Sequence, residues 1–89
     1  MLQKVKKSLR IINDQFDDEI QDLIDAAILD LKLSNIDSSR LEDKLIIRAI
    51  TLYCCAFFGL NNMEADKFKG NYEFLKSQLA LSGEYNGNV

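Results

Sequence analysis

Residues 45–60 read LIIRAITLYCCAFFGL, the most apolar run in the chain, with Arg48 as its one charge. A helix that is apolar around most of its circumference has to be wrapped by other elements. The run therefore predicts a central helix with the flanking segments packed onto it. Sixteen residues interrupted by an arginine fall short of the roughly 20 apolar residues that cross a bilayer. A buried helix is therefore preferred to a membrane span.

Eighty-nine residues, 47% of them hydrophobic, supply one domain with a modest core, and packing between subunits is a natural supplement. The net charge of −3 opposes a general nucleic-acid binder, which needs a dense basic surface. The first dozen residues have a basic flavour but no continuous apolar core, so no secretory signal is expected. Cys54 and Cys55 are adjacent, and neighbours on a helix point about 100° apart. They read as small buried hydrophobes in a reducing cytoplasm, not as a disulfide. With no histidine and no second cysteine pair, no metal site is expected.

The periodicity predicts an all-α bundle of about four helices, roughly 2–10, 15–32, 40–58 and 64–81, around the central apolar one. In the first, Leu2, Val5 and Leu9 share a face opposite Lys4, Lys6 and Lys7. Asp14 is the expected N-cap of the second. Its apolar stripe is Phe16, Ile20, Leu23, Ile24, Ala27 and Leu31, at helical spacing. Asp18, Asp22 and Asp25 lie opposite, with Leu29 among them. A short connection at residues 33–39 follows. Ser39 to Glu42 fits a capping box, which starts the third helix near Arg40, and Gly59 fits its end. The polar stripe of this helix is Lys44, Arg48, Thr51 and Cys55. Asn61 and Asn62 are expected to cap the fourth helix, whose core stripe is Phe68, Tyr72, Leu75 and Leu79. Phe74 and Leu81 point away from that stripe. Residues 1–81 thus form one helical domain, and residues 82–89, with Gly83 and Gly87 as turn signals, read as a flexible tail.

Catalytic signatures are missing from the sequence. There is no phosphate-binding glycine loop, no HExxH or CxxC pattern, and no nucleophile with a base at a recognisable spacing. No enzyme activity and no cofactor are expected. A DNA reader needs an exposed helix face of Arg, Lys, Asn or Gln. The third helix is too apolar for that and the second is acidic.

Taken in order, VKKSLRI (residues 5–11), DDEIQDLIDAA (17–27), AFFGLN (56–61) and NYEFLKSQLALSGEYN (71–86) give the chain a further meaning. It resembles the small head–tail connector proteins of tailed bacteriophages and prophages, also called head-completion or DNA-packaging adaptor proteins. The ending LKSQLALSGEY (75–85) is the most specific part. The resemblance implies an all-α fold without catalysis, made in the host cytoplasm and placed at the virion head–tail junction. It implies a ring of copies, commonly twelvefold in the virion, beneath the portal protein. DNA passes through that ring without sequence-specific binding, and a head-completion or tail protein docks onto it. Relatives differ in length between the second and third helices, and the short connection here leaves little chain to line a channel.

A ring joins one face of each subunit to a different face of the next. The candidate subunit interface is Asp18, Asp22, Asp25 and Leu29 against Lys44 and Arg48. The candidate portal contact is Phe74, Leu81, Glu84 and Tyr85, because a disordered end can fold onto a partner. The alternative is a small helical adaptor or regulator that binds one protein partner through its apolar surface without forming a ring.

Overall fold

The computed structural model describes residues 1–59 and 63–86. In chain order its helices are α1 (Leu2–Leu9), α2 (Asp17–Leu33), α3 (Lys44–Phe57) and α4 (Ala65–Leu81). The apolar run forms α3, and each of the other three helices packs against it. Ile46, Ala49, Ile50 and Cys54 have no exposed surface. The α2 stripe of Ile20, Ile24, Ala27 and Leu31 meets them, Val5 closes one side, and Tyr72 and Leu79 of α4 close another. Burying one such Ile or Leu stabilises the fold by about 1.5–3 kcal/mol. Aromatic pairs fill the seams. Phe16 meets Phe58 edge-on with ring centroids 5.5 Å apart, and Tyr53 meets Tyr72 edge-on at 5.3 Å, the geometry that the ring quadrupole favours. Among the described residues, no helix is long and apolar enough to cross a membrane.

Two helices end in the same way. Arg10 (φ 61) and Asn35 (φ 62) are left-handed. After α1, the Arg10 and Ile11 amides donate to the carbonyls of Lys7 and Lys6. After α2, the Asn35 and Ile36 amides donate to those of Lys32 and Leu31, each at 3.0 Å. These are Schellman closures, which satisfy the last carbonyls and fold the next residue back onto the helix. The second one turns Ile36 inward, and Ile36 and Leu31 are both buried in the core. Asparagine tolerates the left-handed conformation better than most residues. Its place after Leu33 therefore fixes where α2 stops. Gly59, with φ 109, stands just past α3, as its sequence position implies.

Two helix starts differ from the sequence expectation. The Ser39–Glu42 box is not used. The Ser39 amide and hydroxyl both donate to the Asp37 carboxylate, and α3 begins four residues later. Asp43 caps it, accepting from the amides of Leu45 (2.9 Å) and Ile46 (3.3 Å). Residues 40–43 therefore belong to the linker, which is longer than residues 33–39 suggested. Asp14 does not cap α2 either. Phe16 takes that position without a side-chain cap, and Asp14 instead holds the Lys6 ammonium at 3.1 Å while Asp17 holds it at 2.7 Å. The Lys6 side chain is only 4% exposed. A buried ammonium needs counter-charge more than a helix end needs one cap. Glu64 precedes α4 without a side-chain cap, and the expected caps Asn61 and Asn62 lie outside the described residues.

The tail also differs from expectation. Residues 82–86 dock on the α2–α3 linker, with Tyr85 8% exposed and an isolated antiparallel bridge between Ile36 and Asn86. The tyrosine ring supplies the apolar surface that an unanchored tail lacks. Residues 87–89 lie outside the described residues.

Two substitutions test this packing in thermal denaturation. Ile50→Ala removes a fully buried side chain from the middle of α3 and is expected to cost about 2–5 kcal/mol. Gly70→Ala adds a Cβ that meets nothing within 4 Å, so it is expected to gain about 0.5–1 kcal/mol through the helix backbone alone.

Candidate interaction surfaces

Because α2 buries one face against α3, its opposite face is fixed outward. Asp18, Asp22 and Asp25 are exposed there, with Asp18 in the first turn, where the helix dipole favours acid. Leu29 shares the face at 60% exposure, and Leu33, one turn further on, is 83% exposed. The surface is therefore acidic at one end and apolar at the other. Leu33 was missed by the sequence reading, which assigned it to the connection. Its i+4 spacing from Leu29 was the available signal.

The polar stripe of α3 divides in two. Lys44 and Arg48 are exposed, and neither forms an ion pair among the described residues. Thr51 and Cys55 are each 8% exposed, and Thr51 turns its hydroxyl onto the Ile47 carbonyl at 2.8 Å. Cys55 borders an open cleft between α1 and the adjoining ends of α3 and α4, lined also by Leu9, Arg10, Phe58 and Phe68. Burial pushes the Cys54 thiol up to about 12. Burial also raises the Cys55 thiol, but the Arg48 charge opposes it.

On α4 the residues at Phe74 and Leu81 face away from α3, at 68% and 84% exposure, with Gly70 one turn before Phe74. The inward side carries a polar tie. Tyr72 donates its hydroxyl to Asp30 of α2, and the Lys76 ammonium reaches the same carboxylate at 3.1 Å. Desolvation works to raise the Asp30 carboxyl, but these two donors and the Lys76 charge outweigh it and hold it below its ordinary value. The tie spans from α2 to α4 over the edge of α3.

At the other end of α3 the linker and the C-terminal segment form a clasp. Tyr85 donates its hydroxyl to both oxygens of Asp43, at 3.0 and 2.9 Å. The Asp37 amide donates to the Tyr85 carbonyl at 2.8 Å. Arg40 donates to the Glu84 carbonyl and lays its guanidinium 5.1 Å from the centroid of the Tyr85 ring. Desolvation would raise the Asp43 carboxyl, but the bonds from Tyr85 and from the Ile46 and Leu45 amides, with the nearby Arg40 charge, hold it low. No local pattern announces the clasp, because Asp43 and Tyr85 are 42 residues apart.

The sequence-derived candidates thus fall on three surfaces. Asp18, Asp22, Asp25 and Leu29 lie together on α2, while Lys44 and Arg48 lie together at the start of α3. Within one copy, Asp18, Asp22 and Asp25 make no ion pair with Lys44 or Arg48. Phe74, Leu81 and Glu84 are exposed. Tyr85, the fourth candidate for the portal contact, is buried, with its ring and hydroxyl engaged by Arg40 and Asp43 in the clasp. Among the described residues, no cluster of His, Cys, Asp or Glu is arranged to hold a metal ion.

Comparison with known proteins gives one match. The family described as phage connector protein matches residues 1–86. No curated protein and no solved structure matches the chain.

Two measurements check these surfaces. A thiol-alkylating reagent is expected to modify Cys55 before Cys54 in the folded chain, because Cys55 borders a cleft and its thiolate is the less disfavoured. Peptide mapping of a time course reads the order. The second is acid stability. Asp30, Asp37 and Asp43 are all held below their ordinary values. Their contribution is complete above about pH 4 and is lost as pH falls through the depressed folded values. Asp43→Asn is therefore expected to lower Tm at pH 7 and to flatten the fall of Tm between about pH 5 and 2.

Proposed function

Because the chain belongs to the phage connector protein family, we propose that it works at the head–tail junction, where copies assemble as a ring beneath the portal protein. The ring extends the DNA channel and offers its far side to a head-completion or tail protein. The observation that carries this reading is the pair of unspent, opposite charges on separate faces. Asp18, Asp22 and Asp25, with Leu29, stand on the outside of α2, and Lys44 and Arg48 stand exposed at the start of α3. Faces that cannot satisfy each other within one copy, but can between neighbours, suit a heterologous contact. Leu33 extends that contact with apolar area. By resemblance to other connectors, such rings are commonly twelvefold in the virion.

The portal contact is assigned to Phe74 and Leu81, with Glu84 at their end. Large apolar side chains left this exposed on a small chain mark an interaction site. A net charge of −3 suits a channel wall, since like charge keeps DNA from adhering in transit. The longer linker, residues 34–43, offers more chain toward such a channel than the sequence suggested. A helical adaptor without a ring would use the same Phe74 and Leu81 surface. It differs in leaving the portal undecorated by a multimer.

Asp22→Lys is expected to abolish ring formation on purified portal, seen by electron microscopy, and Asp22→Lys combined with Arg48→Asp to restore it at least in part. Unchanged rings in the single variant would refute the charge pairing. An absence of any multimer with the unsubstituted chain would favour the adaptor.

A further inference from the structure

The clasp is a receptor and an occupant that happen to lie on one chain. The receptor is built entirely by the α2–α3 linker: the Ile36 edge, the Asp37 amide, Arg40 and Asp43. The occupant, residues 84–86, is built entirely beyond α4. It carries its own turn, in which the Tyr85 and Asn86 amides both donate to the Ser82 carbonyl, at 3.1 and 3.0 Å. It is therefore a preformed unit. Ser82, extended at φ −82 and ψ 125, is the joint that connects this unit to α4. The Ser82 amide still donates to the Leu79 carbonyl at 3.2 Å, while at Gly83 even an added Cβ would touch nothing within 4 Å, so the freedom to redirect the unit lies at Gly83.

Recognition in the slot is complete in itself. A main-chain amide and a guanidinium read two successive carbonyls, the same guanidinium covers the tyrosine ring, and a carboxylate takes the phenol hydroxyl. None of these contacts depends on which chain supplies the tyrosine. We propose that residues 84–86 are an exchangeable strap and that the linker slot accepts the same segment from a second copy of this chain. Exchange keeps every bond of the clasp and changes only its connectivity, which is why swapping an identical element is an inexpensive route to association. In an isolated copy the attached segment wins, because its effective concentration is on the order of millimolar. Between copies held side by side the neighbour's segment reaches a comparable effective concentration. The slot itself stands on geometry alone. The inference rests on the proposed assembly only for the setting in which exchange wins.

Two readouts on full-length chains test it. A fluorescent peptide of residues 82–89 is titrated into Tyr85→Ala, whose slot is intact and whose own segment lacks the ring. Saturable binding is expected, at least ~10-fold tighter than to the unsubstituted chain, whose own segment competes, and lost when Arg40→Ala is added. Then Tyr85→Ala (intact slot) and Arg40→Ala (intact strap) are mixed in equal amounts and sedimented at high concentration. The average mass is expected to rise in the mixture above that of either variant alone. No saturable peptide binding to a Tyr85→Ala chain with unchanged helical circular dichroism overturns the slot. Peptide binding without a mass increase overturns the second copy as occupant. If Tyr85→Ala fails to fold, Tyr85→Leu keeps an apolar side chain there and serves both experiments. Neither readout involves the portal, so failure of the ring reading and failure of this one are distinguishable.

Discussion

Everything in this fold depends on covering α3. A helix of fourteen residues with eight of them buried cannot be sheltered by one neighbour, and the described residues offer three other helices to cover it. α2 and α4 take the broad sides and α1 closes the end near Cys55. The polar ties are placed where that cover is thinnest. Lys6 binds α1 to the start of α2 through Asp14 and Asp17. Asp30 joins α2 to α4 through Tyr72 and Lys76. Asp43 joins the linker to the C-terminal segment through Tyr85. Each tie satisfies a charge that would otherwise be costly beside the core.

The helices were legible in the sequence because the signal is redundant. The stripe on α2 has six members, and loss of any one would leave the period readable. Helix starts were not, because they are decided by single side chains with competing uses. Asp14, Ser39 and Asp43 are all able to cap a helix. Asp14 is taken by a buried lysine, Ser39 is taken by Asp37, and Asp43 is chosen because Tyr85 holds it from far along the chain. The choices at Asp14 and Asp43 are made by contacts with distant residues and have no local signature, whereas Ser39 is lost to a carboxylate two residues away. The docked segment escaped notice for the same reason: its glycine and asparagine residues signal turns, and only the slot explains why Tyr85 is buried. The acidic, basic and apolar surface candidates were readable as outward positions on a helical wheel. Their pairing between copies belongs to the assembly and not to the single chain.

The family assignment and the surface chemistry bear on different questions. Membership makes the chain a phage connector protein. The geometry then shows what a connector of this size has to work with. Its outward α2 face grades from carboxylate to leucine, two of its exposed cations sit at the mouth of α3, and two large apolar side chains stand out from α4. Nine large apolar side chains stay exposed among the described residues, more than a chain this small needs to leave outside unless some of them meet a partner.

The Asp43 carboxylate serves two masters, the first amides of α3 and the hydroxyl of Tyr85. Stabilisation of either client is therefore felt by the other, and linkage makes the effect reciprocal. Tension on the C-terminal segment loosens the first turn of α3, which is the turn that presents Lys44 and Arg48. A single shared acid thus lets events at the chain's end and at its basic edge inform one another, with no moving domain between them.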